Sequence, residues 1–382
     1  MRAALLLALF VSCALPAVNA VKNVVLIVSD DMRPELNKAY GANWMYTPNF
    51  DKLADESLVF NRAYTQFAIC SASRNSFLSG RRPDRTKVWN FINDFRQAGP
   101  DWTSFPEHFK KNGYTTLGCG KIYHPGHPPN NDEPLSWSQD KPYGKQSPDG
   151  CKGTNISFCQ VNTQERNNPI FNDYKMAQCA ISNLEYAVKK GDPFFIALGL
   201  HYPHLNWHVP TWAVDYYKNV KPPKYPYPPK EMPLIAFTEE VDGKEYLGVE
   251  YLNGTIIRYH VPSPSNWTYM PDWFMEDLRR GYYSAISLSD HHAGLMLAAI
   301  DRLGIANDTV VVFTADHGYQ LGEHAEWAKH TNFELATRVP MMIRAPWLPN
   351  SIGKKTQHFS ELQDLYKTVS KLAGLPEPEK GV

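Results

Sequence analysis

Cys70 stands four residues before Arg74 in the segment Cys70-Ser71-Ala72-Ser73-Arg74, which runs on through Asn75-Ser76-Phe77-Leu78-Ser79-Gly80-Arg81. A cysteine that opens a helix is a candidate thiolate nucleophile, because the helix N-terminus favours the charged form. The same N-terminus holds an oxyanion on its free N–H groups. The plainer alternative is a buried cysteine beside a surface arginine. Four apolar runs elsewhere in the chain end in charged or imidazole side chains. Asp30 and Asp31 follow Val24–Val28, and Asp316 and His317 follow Thr309–Phe313. Lys121 and His124 come after Tyr114–Gly118, and His201 and His204 after Pro193–Leu198. One such residue alone reads as a capping aspartate or a satisfied loop histidine. Four strand ends together point to a metal-assisted anion site. Three aspartates suit a hard ion, Ca²⁺ or Mg²⁺. His317 by itself would suit zinc, which needs further nitrogen or sulfur ligands. His291 and His292 offer them in name only, since they open the helix expected from Asp290 and need no role beyond surface exposure.

The elements that must position these groups alternate. The β-branched runs read as strands buried on both faces, with Val339–Ile343 as a further one. Between them, Pro48–Leu58, Tyr174–Lys190 and Asp290–Leu303 carry apolar residues at helical spacing. Gly191 and Gly304 are placed to stop the second and third, and Asp290 to cap the third. The expectation is an α/β fold, a large mostly parallel or mixed sheet sandwiched by helices, whose ligands meet the carboxyl ends of the strands. Tyr202–Asp272, dense in proline, tryptophan and tyrosine, reads as a long ordered insertion near the pocket.

The remaining composition narrows the class. The 39 basic and 39 acidic residues balance over 382 residues, so no excess positive charge points to nucleic acid or an anionic membrane. Arg2, the apolar run Ala3–Leu15 and the small-residue end at Ala20 read as a signal peptide over 1–20. The catalytic domain is then expected over 21–382, with no membrane span. Five cysteines remain, an odd number in an oxidising compartment. Cys151 and Cys159 flank a short polar loop and are expected to pair, while the partners of Cys119 and Cys179 stay open. Asn155, Asn253, Asn266 and Asn307 begin glycosylation sequons.

Taken together, the Cys-x-x-Ser-Arg segment with Leu78-Ser79-Gly80-Arg81 resembles the signature of the formylglycine-dependent sulfatases, in the alkaline-phosphatase superfamily. Asp30-Asp31-Met32-Arg33-Pro34, Thr47-Pro48-Asn49-Phe50-Asp51, Gly120–Gly126 and His201-Tyr202-Pro203-His204 fall in the family's order. So do Asp316-His317-Gly318, Gly322-Glu323-His324 and Glu326-Trp327-Ala328-Lys329. In detail the chain looks most like the branch acting on 2-O-sulfated iduronate. The resemblance implies that Cys70 is converted to formylglycine by a formylglycine-generating enzyme. It also implies that Asp30, Asp31, Asp316 and His317 bind one Ca²⁺ that the modified Cys70 also touches. Arg74 and Lys121 would then hold the formylglycine, and Lys329 with His204 the sulfate. A hydroxyl of the hydrated aldehyde attacks sulfur to give a covalent sulfo-enzyme, His204 protonates the departing sugar oxygen, and His124 deprotonates the second hydroxyl so that sulfate leaves. The implied substrate is a sulfated carbohydrate of glycosaminoglycan type. The implied location is the secretory pathway, the lysosome first and the extracellular space as alternative.

Ala72 stands where the modification motif commonly has proline. Tyr202 replaces a lysine and Tyr319 a tryptophan of that branch, both expected near the sugar-binding rim. The family's smaller C-terminal subdomain is expected to be absent, leaving apolar surface on the large domain. Two other readings compete: a silent protein that binds sulfated glycans, and a metal-dependent phosphatase or phosphodiesterase. Cys70 argues against the latter, because those enzymes generally use Ser or Thr.

Overall fold

The computed structural model describes residues 23–147, 150–151, 155–238, 241–263 and 270–379. The expected leader and the sequon at Asn266 lie outside them. The strands are β1 (Asn23–Ser29), β2 (Leu58–Tyr64), β3 (Thr115–Gly120), β4 (Phe158–Val161), β5 (Phe194–Leu200), β6 (Trp207–Pro210) and β7 (Tyr246–Glu250). They continue as β8 (Ile256–His260), β9 (Thr309–Ala315), β10 (Gln320–Leu321), β11 (Trp327–Ala328), β12 (Arg338–Val339), β13 (Met341–Arg344) and β14 (Lys354–Glu361).

A run such as Val24–Val28 has no polar face, so it is stable only where both faces of a sheet are covered. β1 accordingly lies inside an eight-stranded sheet of order β12-β2-β13-β9-β1-β5-β3, with β14 added on β2. β3, β5, β1 and β9 are mutually parallel, with Val24 opposite Phe195 on one side and Val310 on the other. β13 then runs antiparallel to both β9 and β2. The sheet is therefore mixed, and its parallel half carries the four strand ends singled out by chemistry.

Val339–Ile343 is not one strand. Pro340 lacks an N–H for the ladder, so Arg338 and Val339 pair with Tyr64 and Ala63, and a separate β13 begins at Met341. β2 and β14 escape sequence reading for a different reason. β14 is largely exposed, with Lys354 and Lys355 at its start, so no buried alternation marks it.

The helix expected from Asp290 begins eighteen residues earlier, spanning Asp272–Arg302. It is buried on several sides, against the helix Asn172–Lys190 and strands of the second sheet, so no single apolar stripe announces it. Asp290 does cap a helix, but a different one. Its carboxylate accepts from the backbone N–H groups of Asn49 (3.3 Å) and Phe50 (2.7 Å), at the start of the helix Pro48–Asp55. One turn on, Gly294 makes room for Asn49, whose side chain a β-carbon there would strike. The Asn172–Lys190 helix ends as expected, on Gly191 at φ +81°.

With Asp290 in mid-helix, His292 moves from the expected surface to full burial, and neither ring nitrogen has a partner among the described residues. Tyr174 and His291 are its aromatic neighbours. Burial, reinforced by His291, drives its pKa down to about 3. Over the interval from its ordinary value of 6.5 down to about 3 the unfolded chain binds the proton and the folded one does not. Stability at this site is therefore complete above pH 6.5 and falls as pH falls, by up to about 1.4 kcal/mol per pH unit. Other buried groups titrate over the same range, so the difference in urea midpoint between wild type and His292→Leu, measured from pH 7 to pH 4, should carry this slope. An unchanged slope in the variant would refute the assignment.

The Tyr202–Asp272 insertion is ordered over its described residues. It contributes β6, β7 and β8, which join β4 in a second sheet of order β6-β4-β7-β8. Cys151 and Cys159 form the expected disulfide. A second, Cys119–Cys179, ties β3 to the Asn172–Lys190 helix and leaves Cys70 as the free cysteine among the described residues. At the other end of the sheet an apolar groove of about 800 Å³, lined by Phe60, Met341, Ile343, Trp347 and Leu365 among others, faces outward beside the helix Asp364–Leu372. Among the described residues, no helix is long and apolar enough to cross a membrane.

Candidate active site

β1 ends at Ser29 and delivers Asp30 and Asp31 to the carboxyl edge of the sheet, where Asp30 N–H still donates to Leu200 O of β5 at 3.1 Å. The chain then turns sharply. Asp31 sits at φ +59°, a costly conformation for a residue other than glycine, fixed here from both sides. Its N–H donates to Asp316 Oδ1 at 3.1 Å and its carbonyl accepts from Tyr282 OH at 2.7 Å. β9 delivers Asp316 and His317 beside them. Between the two strand ends points the N-terminus of the helix Cys70–Ser79, all ten of whose residues are buried.

Spacing of four puts Cys70 and Arg74 on one face of that helix. The Arg74 guanidinium bridges two carboxylates, donating from Nη2 to Asp30 Oδ1 and from Nε to Asp316 Oδ2, each at 2.9 Å. It also donates to the carbonyls of Lys121 and Ile122. Lys121 Nζ lies 2.5 Å from Asp30 Oδ2. Lys329 Nζ lies 2.8 Å from both oxygens of Asp31 and 3.5 Å from Cys70 Sγ. His317 Nε2 is 3.2 Å from the same sulfur. Three carboxylates thus face three cations, with every one of these six side chains at most 4% exposed.

At this depth Coulomb terms are large and desolvation larger. Burial pushes the Asp30 carboxyl up, but Lys121 and Arg74 outweigh it and hold the group below its ordinary range. Asp31 goes the other way. Burial raises it, the neighbouring carboxylates Asp30, Asp242 and Asp316 add to that, and Lys329 only partly opposes them. Burial and Asp30 likewise push the Cys70 thiol up. The unmodified sulfur is therefore a thiol, and the thiolate reading of the helix N-terminus fails because desolvation and adjacent carboxylates overcome the dipole.

Asp30, Asp31, Cys70 and His317 each offer a ligand atom, all within 4.8 Å of one another. Two carboxylates and an imidazole around a point where Asp31 lacks enough positive charge fit a hard divalent cation. Asp316 lies outside that tightest group. Its oxygens are engaged by Arg74, Asp31 N–H and His317 N–H, and Oδ2 stands 3.6 Å from His317 Nε2.

His204 reaches the cluster from the turn after β5. Its Nδ1 faces Leu205 O at 2.6 Å, leaving Nε2 toward Asp242 Oδ2 at 3.7 Å. His201, not assigned a role from sequence, has a possible ligand atom within 4.8 Å of those of Asp30 and His204. His124 stands further out. It packs on Phe91 and His127, with Nδ1 3.2 Å from Pro125 O, and burial followed by Lys121 keeps its ring neutral, with a pKa of about 2.

Asp242 is the residue that sequence reasoning missed. Val241 and Lys244 pair across a tight turn with Asp242 at φ +49° and Gly243 at φ +75°, and this places Asp242 Oδ1 3.4 Å from Lys329 Nζ. The Asp-Gly dipeptide was the available signal, a hairpin turn inside the insertion. Neither tyrosine lies on an open rim. Tyr202 is fully buried, with its hydroxyl on His208 O, and Tyr319 is fully buried against Tyr282 and Trp207.

Comparison with known proteins follows the same lines. The sulfatase family model matches residues 22–375. Iduronate 2-sulfatase of Mus musculus is 35% identical over 395 residues, covering 94% of this chain and 70% of the relative. The Homo sapiens protein of that name is 33% identical over 396 residues with the same coverage. In fold, the chain is similar to a phosphonate monoester hydrolase of Agrobacterium radiobacter, with a TM-score of 0.72 and 18% identity over 93% of this chain and 74% of that one. A structure solved with D-glucosamine-2-N,6-O-disulfate as its substrate gives 0.70 and 20% over 94% and 78%. Those two show the architecture alone. The family match runs from the first strand past the last helix, through every segment that builds the charged cluster, and on that ground the chain belongs to the sulfatase family and is a sulfuric ester hydrolase.

Proposed function

We propose that the protein removes sulfate from sulfated sugars, specifically 2-O-sulfate from uronates of glycosaminoglycan type, through a formylglycine made from Cys70 beside one bound Ca²⁺. The observation that carries this is the setting of Cys70: first residue of a buried helix, with Lys329, His317 and Asp31 around its sulfur. The uronate rests on the resemblance to iduronate 2-sulfatases. In the structure the cysteine sulfur stands for the hydrated aldehyde oxygen of the modified residue.

Calcium, when bound by Asp30, Asp31, His317 and residue 70 with Asp316 alongside, supplies fixed positive charge against the sulfate oxygens. The chain's own groups do the rest. Lys329 is held charged by Asp242 and Asp31 against the cost of burial, so it faces an anion fully protonated. Lys121 braces Asp30 from behind and Arg74 braces both Asp30 and Asp316, and the two cations hold the Asp30 carboxyl below its ordinary range. His204, with Nδ1 on a carbonyl, presents Nε2 toward the departing sugar oxygen. Burial, then Lys329 and Lys121, hold its pKa well below the ordinary value and Asp242 only partly opposes them, so its role as proton donor requires the negative charge of the bound sulfate ester to favour the imidazolium. His124, neutral, is in the right state to accept a proton from residue 70.

The same reading places the protein in the secretory pathway, in the lysosome or outside the cell. Two disulfides support an oxidising compartment, and Asn253 and Asn307 lie exposed for glycosylation.

Expression in a secretory host should give a tryptic peptide, Ala63–Arg74, with the mass of formylglycine at residue 70. The protein should then desulfate a 2-O-sulfated uronate disaccharide and lose that turnover on chelation. An unmodified thiol, in a host that modifies a control sulfatase, would leave a glycan-binding protein without turnover. Preference for aryl phosphate over aryl sulfate would instead revive the phosphatase reading.

A further inference from the structure

A cavity of about 560 Å³ outside the catalytic cluster has a lining that the mechanism does not use. Trp44, Tyr216 and Tyr283 supply aromatic faces, and Lys221, Lys224 and Arg279 supply cations. None of its lining residues is acidic. Tyr283 is a core residue that forms the floor, whereas the other two aromatics face outward. Trp44 is 54% exposed and Tyr216 42%, and Tyr216 is held flat against Tyr46 at 3.8 Å between ring centroids. Lys221 and Lys224 are exposed and make no ion pair among the described residues. Arg279 is nine-tenths buried. It donates from Nη1 to Leu321 O (3.2 Å) and Glu323 Oε1 (2.8 Å), while its Nε has no partner among the described residues.

This cavity shares a wall with the catalytic cluster. Glu323 accepts from Arg279 on one side and from Arg33 Nη2 at 3.0 Å on the other, and Arg33 follows Asp31 by two residues. The Lys221–Tyr225 segment packs on the same wall, where Tyr225 O accepts from His324 N–H and Pro223 abuts Gly322. Exposed aromatic faces next to unpaired cations match one ligand chemistry well. A sugar ring lays its C–H face on the aromatics while its sulfate or carboxylate meets the cations.

We propose that this cavity is a second carbohydrate subsite, which takes an anionic sugar of a sulfated glycan beyond the residue being desulfated. The proposal rests on the reading of the substrate as a sulfated glycan. It makes the protein a reader of chain length, with extended substrates held at two places and disaccharides at one.

The test is the double charge reversal Lys221→Glu with Lys224→Glu, alongside Trp44→Ala. Binding of a heparin-derived hexasaccharide is measured by calorimetry, and turnover is measured separately on a 2-O-sulfated disaccharide. The expected result is at least a tenfold loss of hexasaccharide affinity for the reversal and about fivefold for Trp44→Ala, with disaccharide kcat/KM unchanged. Unchanged hexasaccharide affinity in both variants overturns the subsite. So does equal binding of a polyglutamate peptide, which would make the surface an acidic-peptide site. Because affinity is read without turnover, a protein that desulfates nothing yet loses hexasaccharide on reversal keeps the subsite and overturns only the catalytic reading.

Discussion

Cys70→Ala is expected to lower sulfate-ester hydrolysis by at least about three orders of magnitude while leaving the fold intact. The asymmetry follows from what the side chain does and does not hold. Its sulfur is near Lys329, His317 and Asp31, but those groups are fixed by other partners: Lys329 by both oxygens of Asp31, and His317 by Gly318 O at 2.9 Å. Removing one small buried atom therefore costs about 1 kcal/mol. The reaction, in contrast, loses the group from which its nucleophile is made. Initial rates on a 2-O-sulfated disaccharide and the urea midpoint, measured on the same preparation, separate the two effects. A variant that keeps a tenth of the wild-type rate would show that residue 70 is not the nucleophile.

Arg74→Met should do the opposite, destabilising the whole domain by about 3–5 kcal/mol because Asp316 loses its guanidinium partner and Asp30 is left with Lys121 alone. The guanidinium is 1% exposed, and its two carboxylate partners are fully buried. Arg74→Lys retains the charge but lacks the planar fork that reaches both carboxylates and two carbonyls, and should recover no more than about half of the loss. The exposed pair Lys52–Asp301, at 2.8 Å against 2.9 Å for each Arg74 pair, is the control. With side chains 61% and 40% exposed, its removal is expected to cost under about 1 kcal/mol. Denaturant unfolding checks all three. Arg74→Met within 1 kcal/mol of wild type would mean that the buried carboxylates take up protons instead.

The charged edge of the sheet was legible because two patterns coincide at each strand end. An uninterrupted apolar run predicts a strand buried on both faces, and a charged residue just beyond it must then lie at the sheet's carboxyl edge. Asp30, Asp31, Lys121, His204, Asp316 and His317 all follow from that, and the family motif adds Cys70, Arg74 and Lys329. Asp242 did not follow, because it arrives on a turn within an irregular insertion whose docking is decided by tertiary contact. Asp290 shows the same limit. Its residue type was right for a cap, but a cap in mid-helix serves a neighbour, and local sequence cannot say which. β14 was invisible because an edge strand that faces water carries no buried alternation. Cys119 and Cys179, sixty residues apart, meet only because β3 and the Asn172–Lys190 helix pack together.

The depth of Cys70 also sets an order of events. In the folded protein the residue is 1% exposed and already part of a helix with no exposed member. The closed fold thus leaves the sulfur out of reach of a second protein. If Cys70 is converted to formylglycine as proposed, the conversion belongs to the interval between synthesis of Cys70 and closure of the domain around it. That closure waits for Asp316 and Lys329, some 250 residues later in synthesis, which hold the other half of the cluster. On that reading the late position of β9 and the β10–β11 hairpin in the chain keeps the window open, and the modified fraction of each preparation would record two competing rates.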